Sequence, residues 1–522
     1  MTGSEVSVRS VRAFVRSHSR TRSTGLDRYV TGFCVAMFLA VFGAPLSDVL
    51  AGLAGPADPA RMGAGAALVA LAMAGFLAAA RAAGPVLLPG PDASWLLLSP
   101  LNRRHLLGRT GRALLLVAVV AGAVLGLGVL AVLGAPDQLV WRLLGALALG
   151  VSATVGAMAL AVLGQASQSW QVWLTAATVA LLVLAVMAVS GQARTVLAIA
   201  ASAPLTAVTA VASGAAVVSA LLVRQAWASL HKIPARDILA TSTRAGHVTS
   251  AAVGVDPGAL TWIAEDNHWR ARKLTSRRWP SLPAPFALAW QDWRRLARRP
   301  GRLATMFATA ASPAVLAQAG GPPVALGAAV LAGGLVVAAA SASGARRDSD
   351  NPALARLLGV GHRPALAARS LLPALLSGAW ATTALAGLTL AATGAAAAGG
   401  SSVAEPGTGV PVAAGVGAGS EVWWLFGLLV APALAAAALR MARRGPVDHS
   451  LPVIDTPGGA IPLGPVLWAA TGPDLAVVGC LPAAVALVCS PAGIGVFLAA
   501  QAVTGVAVLA GYVWRAGKRS AS

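Results

Sequence analysis

Glu265, Asp266 and His268 stand together near the middle of the chain, with Arg270, Arg272 and Lys273 directly behind them. Two carboxylates and an imidazole this close could bind a metal ion, but with the cations that follow them the expected reading is a salt-bridged loop patch. The other histidines, His18, His105, His231, His247, His362 and His449, are scattered. No two share the i, i+4 spacing that builds a zinc site on one helix face. The run Gly511-Tyr-Val-Trp-Arg-Ala-Gly517-Lys518-Arg519 has the outline of a phosphate-binding loop. Its spacing misses by one residue, Arg519 stands where Ser or Thr is required, and an apolar run rather than a strand precedes it. The expectation is therefore a chain without a catalytic centre, metal site or cofactor of its own.

The segments that must position these residues are overwhelmingly apolar. Of the 522 residues 57% are hydrophobic and 11% charged, and the mean hydropathy is +0.74; soluble domains are about 25% charged. A helix rises about 1.5 Å per residue and needs roughly 20 apolar residues to cross the hydrocarbon layer. Nine long stretches carry no Lys, Arg, Asp or Glu, and Leu143–Ala193, Leu303–Ala345 and Leu475–Trp514 each have room for two crossings. The expected fold is an all-α, polytopic transmembrane bundle of about twelve spans, at 29–54, 62–80, 113–134, 143–163, 173–190, 196–222, 303–319, 323–343, 370–394, 422–439, 475–489 and 494–513. Within 456–473 the run is uncharged too, but Pro457, Pro462 and Pro465 should prevent a span there.

A net charge of +21 would suit nucleic acid, yet its placement reads as topology. With the N-terminus in the cytoplasm, every Lys and Arg except Arg61, Arg142 and Arg194 lies on the cytoplasmic side, as the positive-inside rule requires. The chain is thus expected in the cytoplasmic (inner) membrane, multi-pass, with both termini cytoplasmic and no nucleic-acid partner. The basic leader Arg9–Arg28 precedes an apolar run too long for a signal-peptide core, so an uncleaved first span is expected. Cys34, Cys480 and Cys489 have no metal-type spacing and read as packing residues. Asp48 and Asp474 lie within or beside spans and read as boundary residues, and Gly122-xxx-Gly126 suits close helix packing.

The longest connection, Arg224–Arg302, carries fourteen Arg or Lys residues and divides six spans from six. The organisation read from this is a basic leader at 1–28, a first six-span half at 29–223, a basic connection at 224–302, a second six-span half at 303–514 and a basic tail at 515–522. After the second span of each half comes a similar segment, Leu98-Ser-Pro-Leu-Asn-Arg-Arg104-His-Leu-Leu107 and Leu357-Leu-Gly-Val-Gly-His-Arg363-Pro-Ala-Leu366, so that Arg104 matches Arg363 and Leu107 matches Leu366. Six spans per half would make the two copies parallel repeats. In the connection, Pro285–Pro300 gathers Phe286, Trp290, Trp293 and Leu296 into one helical stripe, with Asp292, Arg294, Arg295 and Arg298 largely off it. Such a helix would lie in the membrane interface, its tryptophans among headgroups and its arginines toward anionic lipid.

The segments Trp95-Leu-Leu-Leu-Ser-Pro-Leu-Asn-Arg-Arg104-His-Leu-Leu107 and Ala289-Trp290-Gln-Asp-Trp293-Arg-Arg-Leu-Ala-Arg-Arg-Pro300-Gly resemble actinobacterial membrane proteins related to ABC-2-type transporter permeases. That resemblance implies a membrane subunit that exports a substrate while a separate ATP-binding subunit on the cytoplasmic side hydrolyses ATP. Arg103, Arg104 and Arg363, with the interfacial helix carrying Trp290, Trp293, Arg294, Arg295 and Arg298, are then the expected docking or force-transmitting elements. The second copy departs from the first, with Gly361 and His362 where the first has Asn102 and Arg103. A homodimer is compatible with this reading. Two other readings stay open. A secondary transporter of the major facilitator type also has six plus six spans, but the connection between the second and third spans lacks that superfamily's Gly-x-x-x-Asp-Arg pattern. A membrane-bound lipid-modifying enzyme would have to use the Glu265–His268 cluster.

Overall fold

Long runs of Ala, Leu and Val become helices here because a helix satisfies every backbone N–H and C=O within itself, which hydrocarbon demands. The computed structural model describes residues 58–86, 103–135, 137–235, 238–239, 242, 280–351, 353, 357, 359–398, 422–445, 450, 453–456, 459–489, 491 and 493–518. These residues are almost wholly helical, with one short hairpin. They form two compact units divided at Gly246 and His247, with Leu451–Leu463 grouped in the first.

In the first unit, α1 (Pro59–Ala83) opens on Asp58, whose carboxylate accepts the Ala60 N–H at 2.9 Å, with proline in the first helical turn where no N–H is needed. It is followed by α2 (Arg103–Leu133), α3 (Leu139–Ala166), α4 (Gln168–Val189), the short α5 (Arg194–Ala201) and α6 (Leu205–Ser229). Helix α3 is the hub, packing on α1, α2, α4 and α6. Its crossing with α2 is close because both helices present glycine: a Cβ on Gly126 would stand 2.6 Å from the Ala146 carbonyl, and one on Gly150 would run into the Gly122 carbonyl. Thr154 ties the same crossing by donating to the Ala118 carbonyl at 2.8 Å. Gly122 and Gly126 thus have a definite partner, backbone packing against backbone in place of a hydrophobic drive that lipid cannot supply.

The second unit holds α7 (Ala284–Ala297), α8 (Pro300–Ala308), α9 (Ser312–Gln318), α10 (Pro323–Ser341), α11 (Ser343–Asp350), α12 (His362–Ala398) and α13 (Leu425–Ala442). The strands β1 (Val453–Thr456) and β2 (Gly459–Pro462), which belong with the first unit, pair antiparallel, Asp455 opposite Ala460. Next come α14 (Leu463–Ala470), α15 (Pro473–Gly479), α16 (Leu481–Cys489) and α17 (Ile494–Lys518). Here α12 and α13 cross closely, a Cβ on Gly427 meeting the Thr382 backbone, and α13 also packs on α10 and α17. The core of this unit is built around Trp380, Phe426, Leu434 and Val330.

Among the described residues nine helices are long and apolar enough to cross a membrane: α1, α2, α3, α4, α6, α10, α12, α13 and α17. Outward faces such as Leu116, Val120, Val186, Val217 and Val503 are exposed, as lipid contact requires and water would not tolerate on this scale. The expected span at 29–54 lies outside the described residues. The expected sixth span begins instead at Leu205, since Pro204 separates α5 from α6. The expected seventh, 303–319, is a chain of short pieces, α8, a 3-10 turn at Thr309–Ala311 and α9. The expected eleventh, 475–489, is α15 and α16 with a break at Cys480, because Pro482 has no N–H to continue the ladder. Among the described residues of 456–473, where β2 and α14 stand, no helix is long enough to span.

Candidate functional site

The most unusual chemistry of the second unit is an arginine in its packed interior. Arg369 lies two turns into α12, on the face that carries Leu366, Leu372 and Leu376, and all four are buried. An unpaired guanidinium there would be prohibitive, so the surrounding helices supply acids. Its Nη1 donates to Asp292 Oδ1 of α7 at 2.7 Å and to the Leu288 carbonyl at 3.3 Å. Its Nε and Nη2 donate to the two carboxylate oxygens of Asp348 on α11, at 2.9 and 3.0 Å, the bidentate geometry that suits a planar fork. Gly344 makes room for this cluster: a Cβ there would collide with Asp292 and Arg369. Burial pushes the Asp292 carboxyl up to about 6, against the pull of Arg369 beside it and of Arg347. Three elements, α7, α11 and α12, are thereby locked at one point.

Further polar contacts stand where α12 begins and α13 ends. Arg443 Nη2 donates to His362 Nε2 at 2.9 Å, which leaves that ring nitrogen as the acceptor. The Arg444 guanidinium stacks 4.4 Å from the centre of the Trp468 ring and donates to the Trp468 carbonyl at 3.1 Å. Arg440 pairs with Asp474 at 2.8 Å, and Asp474 in turn accepts the N–H groups of Gly472 and Leu475, starting α15. Asp474 thus stands in the first turn of α15, where its carboxylate satisfies two N–H groups at the helix start.

Deeper in the unit, the break between α15 and α16 is repaired chiefly by Gln501, with Thr504 Oγ1 donating to the Gly479 carbonyl at 3.4 Å beside it. Gln501 of α17 is fully buried; its carboxamide donates to the Gly479 carbonyl at 2.7 Å and accepts the Ala483 N–H at 3.1 Å. Two backbone groups orphaned by Pro482 are thus satisfied from another helix. The short pieces before α10 are held similarly, since Trp380 Nε1 donates to Thr309 Oγ1 at 3.1 Å from a seat against Gly333.

Of the residues expected to dock a partner, Arg103 and Arg104 occupy the first turn of α2, their side chains lying outside the described residues. Arg363 is the second residue of α12 and is exposed. The amphipathic helix exists as α7, but its faces divide differently from the expected stripe. Leu288, Asp292 and Leu296, spaced four apart, form the buried ridge against α12, while Phe286, Trp290 and Trp293 look outward, the tryptophans 39% and 40% exposed. Arg294 and Arg295 are half-buried and Arg298 is exposed. Leu296 thus leaves the tryptophan stripe and Asp292 joins the core, because Arg369 draws it inward. Arg369 falls just before the span expected at 370–394; the signal for its role is its place in the 366, 369, 372, 376 series, where an arginine in a buried stripe requires an acid nearby. Cys480 is buried and Cys489 exposed, neither in a disulfide. The Glu265–His268 cluster lies outside the described residues, and among the described residues no three His, Cys, Asp or Glu side chains converge as metal ligands would.

Residues 57–422 match the model of a family of unknown function, DUF6297. No curated protein and no solved structure matches the chain.

Proposed function

The chain belongs to the family of unknown function DUF6297, and for this member we propose the role of membrane-spanning permease subunit in an ABC-type exporter, energised by a separate ATPase subunit at the cytoplasmic face. The observation that carries this reading is the Asp292–Arg369–Asp348 cluster. It fastens a short amphipathic helix outside the spans rigidly to a long spanning helix, leaving Trp290, Trp293 and Arg298 outward. A push on α7 would be delivered to α12 directly, as a chain that borrows its energy requires. The sequence contains no complete phosphate-binding loop, so the energy must come from elsewhere.

In this reading the chain is a twelve-span bundle in the cytoplasmic membrane, two six-span halves with both termini inside. Two features support the two-half arrangement. Arg104 and Arg363 are each the second residue of a long helix, and each is followed three residues on by a buried leucine, Leu107 or Leu366. In each unit that helix crosses its successor at glycine, α2 on α3 and α12 on α13, and the successor also packs on the last helix, α6 or α17. The broken pieces 300–318 and 473–489 would then be the seventh and eleventh crossings, interrupted helices kept satisfied by buried side chains.

Gentle solubilisation and purification of the full chain from its own host tests the proposal. An ATP-hydrolysing subunit should accompany it in fixed ratio and should be lost from an Arg104→Glu, Arg363→Glu variant that still inserts. A chain that purifies alone at full stability, and that sustains proton-gradient-driven uptake in vesicles, would instead be a self-sufficient transporter.

A further inference from the structure

A groove of about 630 Å³ runs along α4 beside the end of α1. Its lining changes character along its length. Arg81, Gln168, Gln171 and Thr175 supply polar groups toward the start of α4, and Val172 and Val179 belong to its apolar remainder. Arg81 Nη1 donates to Thr175 Oγ1 at 2.9 Å, while Thr175 donates its own hydrogen to the Gln171 carbonyl at 2.8 Å, so the guanidinium is tethered in place. Among the described residues no carboxylate lines the groove, and one bond to a hydroxyl leaves most of the five donors of the guanidinium for another acceptor.

Arg81 is the last residue of the apolar window of α1, and Gln168 the first of α4. The polar part of the groove therefore sits at headgroup depth, and the remainder descends along α4 into the hydrocarbon layer, where Val172 and Val179 are exposed. We propose that this groove binds one anionic phospholipid, its phosphate held by Arg81 with Gln168 and Gln171 and one acyl chain laid along Val172 and Val179. A guanidinium with no carboxylate partner among the described residues, set where a phosphate would lie, supplies the charge complementarity, and the valines supply the rest. The site rests on the chain being membrane-embedded and is independent of the transport reading.

Native mass spectrometry of the full chain, released from micelles doped with phosphatidylglycerol or phosphatidylcholine, tests it. The wild-type chain should retain one phosphatidylglycerol in preference to phosphatidylcholine. Arg81→Gln and, separately, Val179→Trp should each lower its occupancy about tenfold with an unchanged melting temperature, Arg81→Lys should keep most of it, and inorganic phosphate should not displace it. Undiminished retention in both variants would overturn the proposal. So would loss in Arg81→Gln alone together with displacement by inorganic phosphate, which would mark a site for a free anion. Val179→Trp keeps the question answerable should Arg81→Gln not fold.

Discussion

The Arg369 guanidinium stands 2.7 Å from the Asp292 carboxylate with both side chains buried, so helix α7 is fixed to α12 by charge rather than by its tryptophans. Removing one partner strands the other. Arg369→Leu should destabilise the chain by about 3–5 kcal/mol in detergent unfolding, and adding Asp292→Asn should restore part of that loss. Equal stability for the single and double variants would show that the charge is not what holds the helix.

The same pair gives the stability a pH dependence of defined sign. Burial raises the Asp292 carboxyl from 3.8 to about 6, so between those values the folded chain keeps a proton that the unfolded chain has released. The contribution of this group is full below the lower value and is lost as the pH rises through about 6. Thermal unfolding of the wild type against Asp292→Asn should show that fall between the two values in the wild type alone; a relative rise over that window would contradict it.

Gly344 is the residue on which this cluster closes. A methyl group there would meet Asp292 and Arg369, and Gly344→Ala should cost about 1–3 kcal/mol through overpacking. Gly75, inside α1 with nothing within 4 Å of its missing Cβ, provides the contrast: Gly75→Ala should be neutral or stabilising by about 0.5–1 kcal/mol. Melting temperatures of the two variants, measured side by side, decide the matter.

What could be read from sequence follows from how each signal arises. Spans such as α3 and α10 are legible because a long uncharged apolar run has few alternatives to a membrane helix. The breaks at Pro204 and Pro482 are harder, since the apolar run continues across them and only the missing N–H interrupts the ladder. The amphipathic helix α7 was legible in its period, but its inward face was not, because Asp292 reads as polar until its partner, seventy-seven positions away, is known. Arg369 and Gln501 escaped for the same reason: each is a polar residue in an apolar stripe whose purpose lies on another helix. The glycines of α2 and α3 show spacing in sequence but not which backbone they admit.

Gln501 should therefore matter more than an uncharged residue in a span ordinarily would. Gln501→Leu would leave the Ala483 N–H unsatisfied in the packed interior and the Gly479 carbonyl with only the long 3.4 Å bond from Thr504 Oγ1, at about 1–3 kcal/mol for the orphaned group. Hydrogen exchange should report it locally, with amides of α16 losing protection before those of α13. Unchanged protection would mean that the break is satisfied some other way.

A permease of the kind proposed would be a membrane body powered by another subunit. The most direct measurement is ATP hydrolysis by the copurified ATPase subunit in proteoliposomes, with and without the chain, and with Arg369→Leu in its place. Hydrolysis should rise several-fold with the wild-type chain and fall back when α7 is unpinned. Hydrolysis indifferent to the chain, or to the loss of Arg369 in a variant that remains folded and bound, would contradict it.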